Sequence, residues 1–499
     1  LLYRPEELTL WDTTLFEDDG TFHLFFLQTH GLGHAVSTDL TTWTPAADID
    51  LRGKPGDWNE HGGPLTGCLV KHEGRFYLFA GSLTPDTRES VYGVFTSDDL
   101  TTWEPHPANP VLRAPESFGH EGSTRDWGMF DAWRDPVIQL GADGRYHAYL
   151  SARSGPWDES RTGAVVAHAS SADLIEWQHH EPLFETDRVK YTEVPGLFEL
   201  DGRHYLHFLD HGWGGLRIHS PSRQDTAGTY YLVAPSPEGP YEWPEDPLLI
   251  GGGHDRVAAW ASRTIEYDGG HLLYHHTAST RPAFGALKRI RSNPDGTLYL
   301  QYFPAIEALE IDEIRGTPEW QEHTDDAGVW TATPTGASAR ARAVGSSAVL
   351  ARDRSDLHLE CTIRIRSGAR AGVVLRSATT GEGEQRVGVV VALDAELQQA
   401  RIEVLTRYPY EGWGLPVGDV TAGGHAREID TVRLPLERDR PYALRCFARA
   451  EFFDVYLDDV WLFTRAIPTA PASGDVELMT ERGEAEFTDL RLARLPALP

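Results

Sequence analysis

The sequence predicts an all-β protein: a five-bladed β-propeller over residues 1–316, followed by a β-sandwich over residues 317–499. Three observations predict it. Four segments of the first half end alike, at Trp43, Trp103, Trp177 and Trp243. Runs of alternating apolar residues, such as Phe22, Leu24 and Phe26, carry the two-residue period of strands. No long stretch carries the period of an amphipathic helix.

The repeat sets the order of elements. Its endings read STDLTTW, TSDDLTTW, SSADLIEW and SPEGPYEW, each after a small-residue strand: GHAVS, YGVFTS, GAVVAHAS and TYYLVAPS. Before each lies a strand pair around a Gly turn: LFEDDGTFHLFFLQ, CLVKHEGRFYLFAG, PVIQLGADGRYHAYLSA and GLFELDGRHYLHFLD. The DG and EG pairs supply the positive-φ residues of tight hairpins. A fifth copy begins at SRTIEYDGGHLLYHHTA and closes with GALKRIRSNPDGTLYLQ. Each copy makes a sheet of about four strands. One such sheet cannot bury both faces, and repetition around an axis can. The recurrent Trp residues are expected to pack between blades.

A Thr-, Ala-, Gly- and Ser-rich entry follows from about Asp325 to Ser347. Beyond it, LHLECTIRIR, AGVVLRS, RVGVVVALD, ARIEVLTR, YALRCFARA and FFDVYLDDVWLF lack the repeat signature. Many short strands separated by turns predict a sandwich, here similar to a concanavalin-like lectin sandwich.

Composition narrows the function classes. The 45 Lys and Arg residues against 75 Asp and Glu residues give a net charge of −30. That excess argues against nucleic acid or an anionic membrane as the partner and suits a neutral substrate. No apolar run reaches the length of a membrane-spanning helix. Three scattered cysteines, Cys68, Cys361 and Cys446, form no CxxC, so neither a disulfide framework nor a thiolate zinc site is indicated. A cytoplasmic location is the expectation from low cysteine use, with secretion left open.

A propeller gathers the inner strands of its blades around one funnel. Three acids precede their Gly turns by similar distances: Asp12 in TLWDTTLF, Asp135 in AWRDPVIQL and Glu193 in YTEVPGLFEL. Carboxylates brought together raise one another's pKa, and burial adds to the rise. Such a set can keep one proton while another member stays ionised, the division of labour that glycoside cleavage needs. Arg134 beside Asp135 favours its charged form and can grip a substrate hydroxyl.

These motifs, in this order, resemble glycoside hydrolase family 32, the invertases, inulinases and levanases. WDTTLFEDDGTFHLFFLQ resembles the family's opening motif, and GLGHAVSTDLTTW is similar to its next conserved stretch. WRDPVI resembles the Arg-Asp-Pro motif, and EVPGLFEL the motif carrying the acid/base. The resemblance implies a retaining double displacement on a carbohydrate substrate, a fructofuranoside. In it Asp12 is the nucleophile, Glu193 the acid/base and Asp135 the transition-state stabiliser, with Arg134 and Gln28 as sugar contacts. It implies no metal and no other cofactor.

The chain departs from the family pattern at Trp11 and Thr13, which flank the nucleophile, at Thr66 and Gly67 in GGPLTGCLV, and at Val194 after the acid/base. Thr66 stands in the substrate-binding stretch. These changes leave open the sugar, hydrolysis against transfer, and two other readings. One is an arabinan-directed propeller glycosidase, which inverts configuration. The other is a non-catalytic carbohydrate-binding protein. Trp58, in GDWNEHGG, is the expected stacking platform among rim tryptophans that include Trp11, Trp127, Trp133, Trp157, Trp213 and Trp260. GGGHDR at Gly251–Arg256 is not followed by a helix and does not read as a phosphate loop. His179-His180 and His275-His276 point their members to opposite faces of a strand, so neither pair chelates one ion, and a funnel metal would have to use His254 or His276.

Overall fold

A computed structural model of the chain describes residues 1–6, 9–60, 62, 65–86, 89–115, 133–153, 163–189, 191–210, 218–223, 227–251, 259–277, 281–315, 321–323, 328–341, 346–368, 370–380, 385–407 and 425–498. They divide into two compact units, residues 1–220 with 225–305, and residues 221–224 with 306–498. The boundary expected from the sequence, between residues 316 and 317, lies outside the described residues, as do Trp127, Trp157, Trp213 and His254. Among the described residues the one helical segment is the 3-10 turn Pro304–Leu309.

The first unit is a series of antiparallel sheets. The first contains β1 (Trp11–Asp18), β2 (Thr21–Gln28), β3 (Gly31–Ser37), β4 (Thr44–Pro45) and β5 (Ile49–Asp50). The second contains β6 (Leu65–His72), β7 (Arg75–Leu83), β8 (Ser90–Ser97), β9 (Glu104–Pro105) and β10 (Leu112–Arg113). The third contains β11 (Arg134–Leu140), β12 (Tyr146–Arg153), β13 (Ala164–Ser171) and β14 (Trp177–Thr186). The fourth contains β15 (Glu193–Leu200), β16 (Arg203–Asp210), β17 (Gly228–Ala234) and β18 (Leu248–Gly251). A last meander runs through β19 (Ala259–Tyr267), β20 (Gly270–Thr277), β21 (Lys288–Ser292) and β22 (Leu298–Tyr302).

The first strands pack on one another in cyclic order, β1 on β6, β6 on β11, β11 on β15, β15 on β19, and β19 on β1. That closed ring is the arrangement of a β-propeller. The N-terminal segment helps to close it. Leu2 N–H donates to the Phe284 carbonyl at 2.9 Å, and Phe284 N–H donates to the Tyr3 carbonyl at 2.8 Å.

The repeat endings have a local cause. In the first, Ser37 Oγ donates to Asp39 Oδ1 at 3.0 Å, and the N–H groups of Thr41 and Thr42 donate to the same oxygen at 2.8 and 2.7 Å. An Asp side chain thus closes its own turn. The next residue, Leu40, sits at φ 63° and is buried. The pattern recurs at Ser97, Asp99 and Leu100, and at Ser171, Asp173 and Leu174. The Trp that follows packs on the preceding sheet. Trp103 meets Phe25, Trp177 meets Phe79, Trp243 meets Phe184, and Trp43 meets Phe284 next to the last sheet.

The second unit is a β-sandwich. One sheet runs through Gly328–Thr333, Gly336–Ala341, Gly483–Arg494, Leu357–Ser367, Pro441–Arg449, Phe452–Leu457 and Val460–Ala466. The other runs through Gln321–His323, Ser346–Arg354, Gly474–Glu481, Arg370–Thr380, Gln385–Asp394, Gln399–Arg407 and His425–Arg433. Alternate residues of both, among them Leu359, Ile363, Val373, Val389, Ile402, Phe453, Leu478 and Phe487, make one buried core.

Candidate active site

Each of β1, β6, β11, β15 and β19 carries a β-bulge near its start. The register breaks between Trp11 and Thr13, Leu65 and Cys68, Arg134 and Val137, Glu193 and Gly196, and Trp260 and Arg263. The residue after the break's first member is Asp12, Thr66, Asp135, Val194 or Ala261. Four of these have positive φ: Asp12 at 33°, Asp135 at 59°, Val194 at 49° and Ala261 at 47°. Non-glycine residues rarely adopt this conformation, and Asp tolerates it better than most. A bulge re-aims a side chain out of the pleat. Here the bulges turn the two Asp side chains towards a shared site.

The sequence places Glu193 in step with the two Asp residues, and the structure corrects this. Glu193 stands one position earlier, equivalent to Arg134 and Trp11. Arg134 and Glu193 therefore face each other from matching positions on adjacent strands. Arg134 Nη2 donates to Glu193 Oε1, and its Nε lies 3.4 Å from Asp135 Oδ2. Val194 N–H, freed from the ladder by the bulge, donates to Asp135 Oδ2 at 3.1 Å. One guanidinium thus ties two acids together.

Asp12 completes the set. Thr66 Oγ1 donates to Asp12 Oδ2, while Asp12 Oδ1 lies 3.7 Å from His276 Nδ1. The Asp12 side chain keeps 21% of its surface exposed, so the site is open at this point. Burial raises the Asp12 carboxyl above the usual range; the Thr66 hydrogen bond opposes this, the Glu193 charge adds to it, and Arg263 and Arg134 oppose it. Burial also pushes Asp135 up to about 7, against the adjacent Arg134, with Glu193 and Asp12 adding to the rise. Burial works against the Arg134 charge, and Glu193 and Asp135 more than offset it.

Several supporting residues are invisible to motif reading. The Tyr92 hydroxyl accepts from Asp135 N–H at 2.8 Å and donates to the Thr66 carbonyl at 3.0 Å, linking the strands that carry two site residues. Arg263, on β19, is buried and acts on Asp12 electrostatically. Burial drops His276 to about 3, so a neutral imidazole faces Asp12, with its ring edge-on to Trp11 at 5.1 Å. Tyr191 lies under the Arg134 guanidinium, 5.4 Å from it.

The other residues singled out in the sequence are placed as follows. Gln28 Nε2 donates to the Thr9 carbonyl at 2.8 Å and so holds the chain leading into Asp12. Trp58 packs against the core cluster of the first two sheets, its Cζ2 only 2.3 Å from where a Cβ on Gly93 would stand. Trp133 is no rim residue, because its side chain is fully buried in the core between the second and third sheets. Among the described rim tryptophans Trp11 is the exposed one, at 39%. Among the described residues no group of three His, Cys, Asp or Glu side chains has the geometry to hold a metal ion.

A closed ring of sheets that gathers three carboxylates and an arginine at the starts of its first strands is the frame of a propeller glycosidase. The family model for the glycosyl hydrolases family 32 N-terminal domain matches residues 13–276, and the chain belongs to that family. The matched span begins one residue after Asp12 and contains Thr66, Arg134, Asp135 and Glu193. The chain is 25% identical over 234 residues to the beta-fructofuranosidase, insoluble isoenzyme CWINV5, of Arabidopsis thaliana, an alignment covering 43% of this chain and 38% of that one. It is 27% identical over 174 residues to the sucrose:sucrose 1-fructosyltransferase of Festuca arundinacea, covering 32% and 24%. Both alignments thus span well under half of the curated relatives. The Bombyx mori GH32 beta-fructofuranosidase BmSUC1 superposes with a TM-score of 0.65 at 16% identity, over 100% of this chain and 94% of that one, a likeness of fold.

Proposed function

We propose that the protein cleaves or transfers fructofuranosyl groups on a five-bladed propeller, with retention of configuration, through a covalent intermediate on Asp12. The observation that carries this reading is the joint hold of Arg134 on Glu193 and Asp135 beside an Asp12 whose Oδ1 is left for attack. Family membership and the two curated relatives support the fructosyl group as the one handled.

In the first half-reaction Glu193 gives its proton to the glycosidic oxygen as the bond from the anomeric carbon breaks. Asp12 Oδ1 forms a bond to that carbon. In the second, Glu193 as carboxylate takes a proton from water or from a sugar hydroxyl, whose oxygen displaces Asp12. Asp135 holds sugar hydroxyls. A hydroxyl that competes for Arg134 Nη2 would weaken its bond to Glu193 and let Glu193 take up the proton it later gives. The Thr66 hydroxyl keeps the Asp12 carboxylate in one orientation.

The test is fructoside turnover in buffer containing methanol, with the methyl glycoside examined by NMR. Methyl fructoside of retained configuration supports the intermediate. The inverted anomer, or arabinose products from arabinan with none from fructosides, would overturn the reading.

A further inference from the structure

We propose that Arg263, buried on the strand that packs against the strand of Asp12, is a positioning residue that keeps the nucleophile charged for attack. The inference deepens the reading of Asp12 given above and rests on it.

The argument begins with register. Three residues after the last pair before each bulge stand Thr14, Cys68, Val137, Gly196 and Arg263, paired with Phe25, Phe79, Tyr149, His207 and Tyr274. These are equivalent positions around the ring, two residues along from the position of Asp12 and Asp135 and three from that of Glu193. Four are small or uncharged, and the fifth is an arginine. It is only 6% exposed. A cation buried in such a layer loses its hydration and needs a compensating charge or hydrogen bonds.

The surroundings of Arg263 show where its charge acts. Its Nε and Nη2 have no hydrogen-bond partner among the described residues. The Tyr274 hydroxyl, which interacts with the guanidinium, also accepts from Leu15 N–H on β1 at 3.2 Å, joining the Arg263 pair to the strand of Asp12. The other titratable neighbours are neutral at ordinary pH. Burial pushes the Cys68 thiol up to about 12, raises Tyr274, and drops His207 to about 3. Asp12 is the neighbour left to carry negative charge. Facing Asp12 are Thr66 on β6, Arg134 on β11, Glu193 on β15, His276 on β20 and Arg263 on β19. Arg134 is engaged by Glu193 and Asp135, and His276 is neutral. Arg263 is the cation not already paired with another acid.

The experiment follows the Asp12 carboxyl directly. The 13Cγ resonance of aspartate-labelled protein is titrated, with Asp12 assigned by its loss in Asp12→Asn, in wild type, Arg263→Lys, Arg263→Met and Arg263→Gln. The acid limb of kcat/KM on a fructoside is recorded for the same proteins. The expected result is a rise in the Asp12 midpoint of about one pH unit or more, a tenfold loss of the ionised form on the acid side, in the Met and Gln variants. The acid limb moves with it, and Lys restores both. An Asp12 midpoint unmoved in whichever neutral variant folds would overturn the proposal. If no fructoside is turned over, the proposed function fails, while the NMR titration still decides the role of Arg263.

Discussion

Arg134 and Glu193 occupy the same position on neighbouring inner strands, and the guanidinium of one donates to the carboxylate of the other. The same arginine lies 3.4 Å from Asp135. The site is thus organised around a planar fork that holds two acids in fixed relation. Lysine cannot reproduce that geometry. Arg134→Lys is expected to lower kcat/KM for a fructoside by about 10²-fold with the fold intact, on the scale of losing a positioned catalytic contact. Steady-state kinetics beside a circular dichroism spectrum checks this. A loss below about threefold would contradict the role given to the fork.

Burial raises Asp135 to about 7, against about 3.9 in an unfolded chain. Between these values the folded protein binds more protons than the unfolded one. Stability from this group is therefore complete below about pH 4 and is lost as pH rises through about 7. Asp135→Asn removes the buried charge. Its Tm is expected to exceed that of wild type by a margin that grows from about pH 4 to pH 8, at about 2–4 °C per kcal/mol recovered, while activity falls. Thermal unfolding across that range tests the sign. A margin that shrinks with pH contradicts it.

The Tyr92 hydroxyl satisfies a buried N–H of Asp135 and a buried carbonyl of Thr66. Tyr92→Phe leaves both without that partner, at a cost of about 1–3 kcal/mol each at most. Denaturant unfolding should show a loss in that range. Turnover should fall about tenfold, because the backbone carrying Asp135 loses an anchor next to its bulge, a small misplacement of the kind that lowers rate.

Trp43 packs edge-on against Phe284, which also pairs with the N-terminal residue Tyr3. Trp43→Ala opens a cavity where the first sheet meets the last. A loss of about 3–5 kcal/mol is expected, with the pH profile of any remaining activity unchanged. A shifted profile would place Trp43 in the site rather than in the closure of the ring.

Much of this was legible in sequence because it is local. Ser37, Asp39, Leu40 and Trp43 lie within seven residues, and their turn recurs as a string. The hairpins announce themselves by their DG and EG pairs. The acids were found from their place before those hairpins. Their relative phase was not, because the hairpins differ in turn length: the last pair is Leu200 with Arg203 in one and Leu140 with Tyr146 in the other, so equal distances to the Gly turn are not equal strand positions. Hence Glu193 reads as level with Asp12 and Asp135 when it is level with Arg134. Tyr92 and Arg263 escaped because each acts on an Asp of another sheet, Tyr92 on Asp135 and Arg263 on Asp12. A signal for Arg263 does exist, since it is the one charged residue among the five at its ring position. Trp133 was misplaced for the opposite reason, since a tryptophan next to a motif reads the same whether it faces a sugar or the core.

The most direct test is sugar release from sucrose, inulin, levan, a difructose dianhydride and arabinan by wild type, Asp12→Asn and Glu193→Gln. Fructose or a fructose oligosaccharide from wild type, reduced by about 10³-fold or more in both variants, is the predicted result. Fructose release that survives Asp12→Asn, or arabinose in place of fructose, would contradict it.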